Sequence, residues 1–200
     1  MTKAIKEMPV LAIIGSVLFM VLAVGGVLLL WGANFADNMV HDQLSAQKIS
    51  FPQKGAENFD PKVYPGLQQY AGQAVDSGPK AKAYANEFIN VHLQGIGGGK
   101  TYSELSAQSL ANPNDAKLAG TVQTMFKGET LRGLLLYAWG WSVVGAIAFW
   151  VGIASLLGAL VVGLALLIGF ALHERRLRKQ SDDIDVTQTE TDARVPALTS

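Results

Sequence analysis

Two stretches of the chain carry no charged side chain, and their lengths dictate much of what it can become. Between Glu7 and Asp37 there is no charge, and Val10 to Trp31 gives 22 residues of nearly unbroken Leu, Val, Ile, Ala and Gly. As a helix this run is about 33 Å long, enough to cross a hydrocarbon core of about 30 Å. Lys3 and Lys6 precede it, as in a signal peptide, but a signal core is typically about 7 to 15 residues long. The small residues of Ala33-Asn34-Phe35-Ala36 have the wrong spacing for A-x-A cleavage, and Trp31 stands where an interfacial anchor belongs. The run reads as an uncleaved membrane helix.

The second uncharged window, Gly133 to Leu172, has 40 residues, twice what one crossing needs. Orientation decides how it is used. Lys3 and Lys6 flank the first span, and Arg175, Arg176, Arg178 and Lys179 follow the second window, so the positive-inside rule puts both termini in the cytoplasm and requires an even number of crossings. A single second span is therefore expected, with Tyr137, Trp139 and Trp141 at the outer interface. From Ser142 to Leu172 that helix would be about 46 Å long, so it must tilt or project outward against a soluble domain.

These readings divide the chain into a cytoplasmic N-terminus (1–9), a first span (10–32), an extracytoplasmic domain (33–138), a second span (139–172) and a cytoplasmic tail (173–200) in a plasma membrane. Within the second span Ser155, Ala159 and Gly163 recur every fourth residue, as do Ala154 with Gly158 and Ala165 with Gly169, which permits close helix approach. Ala12 and Ser16 of the first span are the candidates to face that strip, with a second copy of the protein as the alternative. Background Gly and Ala in membrane helices explains the same pattern equally well. After the basic cluster, Ser181 to Ser200 is polar and too poor in large apolar residues to bury a core, which predicts an unstructured acidic tail. Val186 to Thr191 offers threonines to a kinase, though an inert solubilising tail explains them more simply.

The soluble region reads as all-α. Phe35, Met39, Val40 and Leu44 keep helical spacing beyond the first span until Pro52. Asp60-Pro61 suggests a short helix interrupted at Pro65-Gly66. Pro79 opens a helix with Ala81, Tyr84, Ala85, Phe88, Ile89 and His92 on one face. Thr101 and Glu104 have capping-box spacing for a helix ending at Asn112-Pro113, with Asn112 placed to cap the next. No proline intervenes between Pro113 and Pro196, so the last bundle helix is expected to run on into the second span. No alternation long enough for a sheet appears, and a small helical bundle follows.

Reactive chemistry finds little support. Between Asp37 and Arg132 there are nine Lys or Arg and nine Asp or Glu, so no basic face invites nucleic acid. The chain has no cysteine, which removes disulfides and thiolate sites. Gly95-Ile96-Gly97-Gly98-Gly99-Lys100-Thr101 resembles a phosphate-binding loop, but Gln94 stands where the pattern needs its first glycine and no strand precedes it. His41, His92 and His173 lack local metal-ligand spacing, and His92 fits a hydrogen-bonded core histidine better than a ligand. Neither span carries an ionisable residue of the kind that transport uses. No catalytic residue, cofactor or metal is expected.

Gln47-Lys48-Ile49-Ser50-Phe51-Pro52, Tyr64 to Tyr70 and Gly128 to Leu135 resemble the corresponding segments of a group of actinobacterial two-span membrane proteins without an established function, over roughly residues 5 to 172. Some members carry the label aromatic ring-opening dioxygenase, which implies histidine and carboxylate ligands to iron. His41 and His92, on separate helices, do not support that label. The expected role is a non-enzymatic envelope protein bound in the bilayer to a membrane-protein partner or to copies of itself. The alternatives are an extracytoplasmic ligand sensor that signals through its spans, then an enzyme with a pocket at His92 and Tyr84.

Overall fold

The computed structural model describes the backbone of residues 2–194 and the side chains of residues 10–181. Those residues form helices and connecting turns, with no strand among them. Helix α1 spans Thr2–Ala46 without interruption. It ends six residues short of Pro52, because the chain itself closes the last turn: Gln47 N–H donates to Leu44 O, and Lys48 takes a left-handed φ of 53°.

From Gln47 to Ser77 the chain wraps the domain in turns. Ile49 to Phe51 pairs locally with Gln73 to Val75 through Phe51 N–H to Gln73 O and Val75 N–H to Ile49 O, around an isolated bridge between Ser50 and Ala74. Asp60 does not open a helix. Its carboxylate accepts from Lys62 N–H at 2.8 Å and its carbonyl from Val63 and Tyr64, which makes a turn. Pro65 then forces Tyr64 out of helical geometry (φ −123°, ψ 56°), and a 3₁₀ helix, Pro65–Tyr70, follows.

Helices α2 (Gly78–Ala83) and α3 (Asn90–Gly97) are joined by a π-helical segment, Tyr84–Ile89, closed by Asn90 N–H donating to Ala85 O. Pro79 lies in the first turn, where its missing N–H costs nothing. This helix is the centre of the core: Ala81, Ala85, Phe88 and Ile89 are buried, as its apolar periodicity predicts. The wrapping loop lays its aromatic side chains on it. Phe51 stacks on Tyr70 and meets Tyr84 edge-on, with ring centroids 5.2 and 5.1 Å apart. Phe59 and Tyr64 close on Phe88 at 6.0 and 5.4 Å, and Phe88 on His92 at 4.6 Å. Such pairs each add about 0.5 to 1.5 kcal/mol beyond the area they bury. With no cysteine to staple it, the loop is held by these rings together with Leu67 and Val75, which are fully buried.

The glycine-rich run ends α3. Gly98 is left-handed (φ 59°), Gly99 N–H donates to Gln94 O and Gly98 N–H to Gly95 O, a paired closure of the last turn. Thr101 and Glu104 then form the expected capping box of α4 (Tyr102–Ala111). Asn112 caps backward, its side-chain amide donating to Gln108 O. Asp115 caps α5, accepting from Leu118 N–H at 2.9 Å. Helix α5 runs from Ala116 to Arg194. Its backbone continues past Ser181, where the sequence suggested an unstructured tail, because no proline or glycine lies between Gly169 and Arg194 to end it. The threonines of Val186 to Thr191 lie outside the described side chains.

Two outcomes follow. A Cβ on Gly78 would collide with the Ser142 hydroxyl and lie 3.4 Å from Trp139 Cα, whereas one on Gly95 meets nothing within 4 Å. Gly78→Ala should lower thermal stability, by about 1 to 3 kcal/mol. Gly95→Ala should raise it, by about 0.5 kcal/mol, in the same melting assay. The Glu104 carboxyl is held below its ordinary value, first by the Thr101 backbone N–H and then by the Thr101 hydroxyl. A depressed folded value stabilises above the unfolded carboxyl range and is lost as pH falls through it. Hydrogen exchange at the first turn of α4 should therefore accelerate on acidification in the wild type and be pH-flat, after correction for intrinsic rates, in Glu104→Gln.

Candidate interaction site

Among the described residues two helices are long and apolar enough to cross a bilayer, Val10–Ala46 in α1 and Ala116–Ser181 in α5, each with a window of mean hydropathy 2.7. Only 6% and 11% of those windows are buried. A soluble core helix would be mostly covered, so this is apolar surface that needs another solvent or another protein.

Residues 1–28 and 151–200 form one compact unit, in which α1 and α5 run antiparallel. A Cβ on Gly26 would sit 2.8 Å from Leu156 Cγ and 3.1 Å from Gly152 O, one on Gly15 2.8 Å from Leu166, and one on Gly163 3.1 Å from Phe19. Ala159 is buried and Gly163 half-buried, while Ser155 is half-buried beside them. The face of α1 that meets them is Gly15, Phe19, Leu22 and Gly26. Ala12 and Ser16 are exposed to one side of it. Small residues occur on several faces of α1, so spacing alone does not choose the mate of the α5 strip.

Residues 29–150 form the second unit. Here a Cβ on Gly145 would lie 3.3 Å from Ala36 Cβ and 3.4 Å from Ala33 O, which fixes the pairing of α1 with α5 in this unit. Trp31 is exposed and lies two residues from Ala33 on the side away from Asp37. Tyr137 and Trp141 lie eight and four residues from Gly145 in the opposite axial direction. Trp31 and the Tyr137 to Trp141 group therefore stand at different levels, more than about 10 Å apart along the helices. Trp139 is half-buried, with the Lys82 ammonium 4.4 Å from its ring centroid. Arg175, Arg176, Arg178 and Lys179 are exposed on α5, and the side chains of Lys3 and Lys6 lie outside those described.

The level of Tyr137 and Trp141 holds the most evident binding surface. A groove of about 380 Å³ opens between the end of α1 and α5. Met39, Val40 and Leu44 form one wall, with Gln43 and Gln47 at its rim. Leu131, Leu134, Leu135, Ala138 and Trp141 form the other, spaced along one face of α5. Leu135 is buried at the base, but Leu134 is 64% and Tyr137 67% exposed. The α5 window is apolar here because Leu135, Leu136 and Ala138 pack on the domain core. Among the described residues nothing covers its outward side.

The residues singled out for chemistry have hydrogen-bond partners within the domain. His92 Nδ1 lies 3.1 Å from both Tyr64 Oη and Phe88 O, so it is a hydrogen-bonded part of the aromatic core. His41 Nδ1 is 3.0 Å from Asp76 O. Burial raises the Tyr64 and Tyr84 phenols above their usual value, so both stay neutral. In the glycine run the N–H groups of Gly98, Gly99 and Lys100 all donate to carbonyls of α3, and Lys100 Nζ reaches Gln108 Oε1 at 3.0 Å. The backbone donors of Gly98, Gly99 and Lys100 are thus spent on the helix end. Compared with known protein families, curated proteins and solved structures, the chain matches none.

Gly26→Leu should loosen the helix pair, lowering the melting temperature in detergent by the equivalent of about 1 to 3 kcal/mol. Gly25→Leu, whose Cβ meets nothing within 4 Å, should leave it within about 0.5 kcal/mol.

Proposed function

We propose that this chain is a non-enzymatic plasma-membrane protein, both termini cytoplasmic and the domain of residues 33–138 outside, whose work is to bind a partner membrane protein. The observation that carries the reading is the uncovered apolar groove of Leu131, Leu134 and Trp141 against Met39 and Val40. An exposed apolar patch beside well-packed core is the usual mark of a binding surface. Val144, Ile147 and Val151 carry the exposed apolar surface of α5 on into the second span. A partner that uses both therefore presents an apolar helix, and Gln43 and Gln47 at the rim supply hydrogen bonds that set its register.

A photo-crosslinking residue at position 134, in full-length protein in its native membrane, tests this. One stoichiometric adduct heavier than the chain, absent when the same label is placed at Leu110 on α4, is the expected result and makes the protein an accessory subunit. An adduct of twice the chain mass makes it a self-assembling scaffold. No adduct at 134, or the same adducts from both positions, rejects the groove as a docking site. Leu134→Glu, at a position already exposed, should leave folding within about 0.5 kcal/mol and abolish partner retention on purification through this surface.

A further inference from the structure

A second concavity lies on the same helix pair, on the other side of Gly145 from the groove. It has a volume of about 550 Å³ and is lined by α1 and α5 residues alone. Its floor is low because Ala33, Gly145 and Ala146 are small. Along α1 the lining passes from Leu30 to Asn34 and Asp37, and along antiparallel α5 from Phe149 and Trp150 to Ser142. Both walls turn from apolar to polar in the same direction, over about 10 Å.

The polar end has a definite hydrogen-bonding character. Asp37 is the first charge after 29 uncharged positions on α1. The described ion pairs join Lys80 to Asp76 and Arg132 to Glu129, so among the described residues Asp37 has no cationic partner. The Ser142 hydroxyl spends its proton on Trp139 O at 2.8 Å, which leaves its lone pairs as acceptors. Asn34 accepts through Oδ1 from the Asn38 amide at 3.5 Å and keeps its own N–H groups to donate. Two acceptors, one of them anionic, thus stand beside one donor, above an aromatic and aliphatic base.

We propose that this cleft binds one molecule of a phospholipid with a primary ammonium head, of the phosphatidylethanolamine type. The ammonium N–H groups donate to the Asp37 carboxylate and Ser142 Oγ, and the phosphate accepts from the Asn34 amide. One acyl chain lies over Ala33 and Ala146 towards Phe149 and Trp150. A choline head lacks the N–H donors, and an anionic glycerol head would face the Asp37 carboxylate. The apolar end lies at Trp150, 68% exposed and well inside the uncharged window of α5, so a bilayer lipid reaches the cleft without leaving the membrane. This site is separate from the groove and does not depend on a protein partner.

Full-length protein would be reconstituted in vesicles of equal parts phosphatidylethanolamine, phosphatidylcholine and phosphatidylglycerol, and the lipid retained would be read by native mass spectrometry. The expected result is one retained phosphatidylethanolamine, enriched about fivefold over each of the others, the order set by one charge-assisted hydrogen bond. Asp37→Asn should abolish the enrichment over phosphatidylglycerol, and Ala146→Phe should abolish retention by filling the floor. Should Ala146→Phe fail to fold, Asp37→Asn, at an exposed position, decides alone. Equal retention of the three lipids by wild-type protein, an unchanged preference in Asp37→Asn, or displacement by equimolar soluble phosphoethanolamine would overturn the proposal.

Discussion

The two uncharged windows have unequal lengths, and the rest of the architecture answers to that inequality. With histidine counted as uncharged, Met8 to Ala36 is 29 residues and Gly133 to His173 is 41, an excess of 12 on α5, or about 18 Å of helix. Glu7 and Glu174 are each eight residues from the Gly15 and Leu166 contact, so at that end the first charges come at matching helix positions. At the other end Asp37 follows Ala36 directly, while Arg132 lies 13 residues from Gly145. The whole excess therefore falls beside the polar end of α1. Part of it is covered by the domain, through Leu135, Leu136 and Ala138, and the remainder is the open side of the groove.

The domain exists in its present form because one helix can organise a long irregular loop. From Gln47 to Ser77 the backbone has little regular hydrogen bonding of its own, and its ordering entropy must be offset by side-chain burial. Phe51, Phe59, Tyr64, Leu67 and Val75 provide it, and each rests directly or through a neighbouring ring on the segment from Ala81 to His92. That segment is pinned to α5 at Gly78 against Ser142, and at Lys82 over Trp139. The rings position the loop, and the close approach at glycine positions the rings.

Helix identities were legible from periodicity and from caps: the Ala81 to His92 face, the Thr101 and Glu104 box, and the unbroken run after Pro113 all follow from residue types a few positions apart. What could not be read were matters of level and partnership. Tyr137, Trp139 and Trp141 are close in sequence, but successive odd positions on a helix point different ways, and the antiparallel pairing puts them at another level along the helices from Trp31. Asp60-Pro61 has the chemistry of a helix start, but the turn closes first on the Asp60 carboxylate and carbonyl. The cleft at Asp37 and the groove at Leu134 combine residues about a hundred positions apart, which no local pattern relates.

The π-helical segment between α2 and α3 has a consequence for how this domain can vary in length. A wide turn of this kind holds one residue more than the α-helix would, so it stores an insertion without breaking the helix. Removing one residue between Tyr84 and Ile89 would return the segment to ordinary α-helical spacing and leave the turns on either side in phase, so His92 and Leu93 would keep the side of the helix that Tyr64 and Gly128 occupy. A deletion elsewhere between Gly78 and Gly98 has no wide turn to absorb it and would swing everything after it by about 100°. The segment is thus the point at which the helix from Gly78, seated on Ser142, to the glycine closure at Gly98 tolerates a change of one residue.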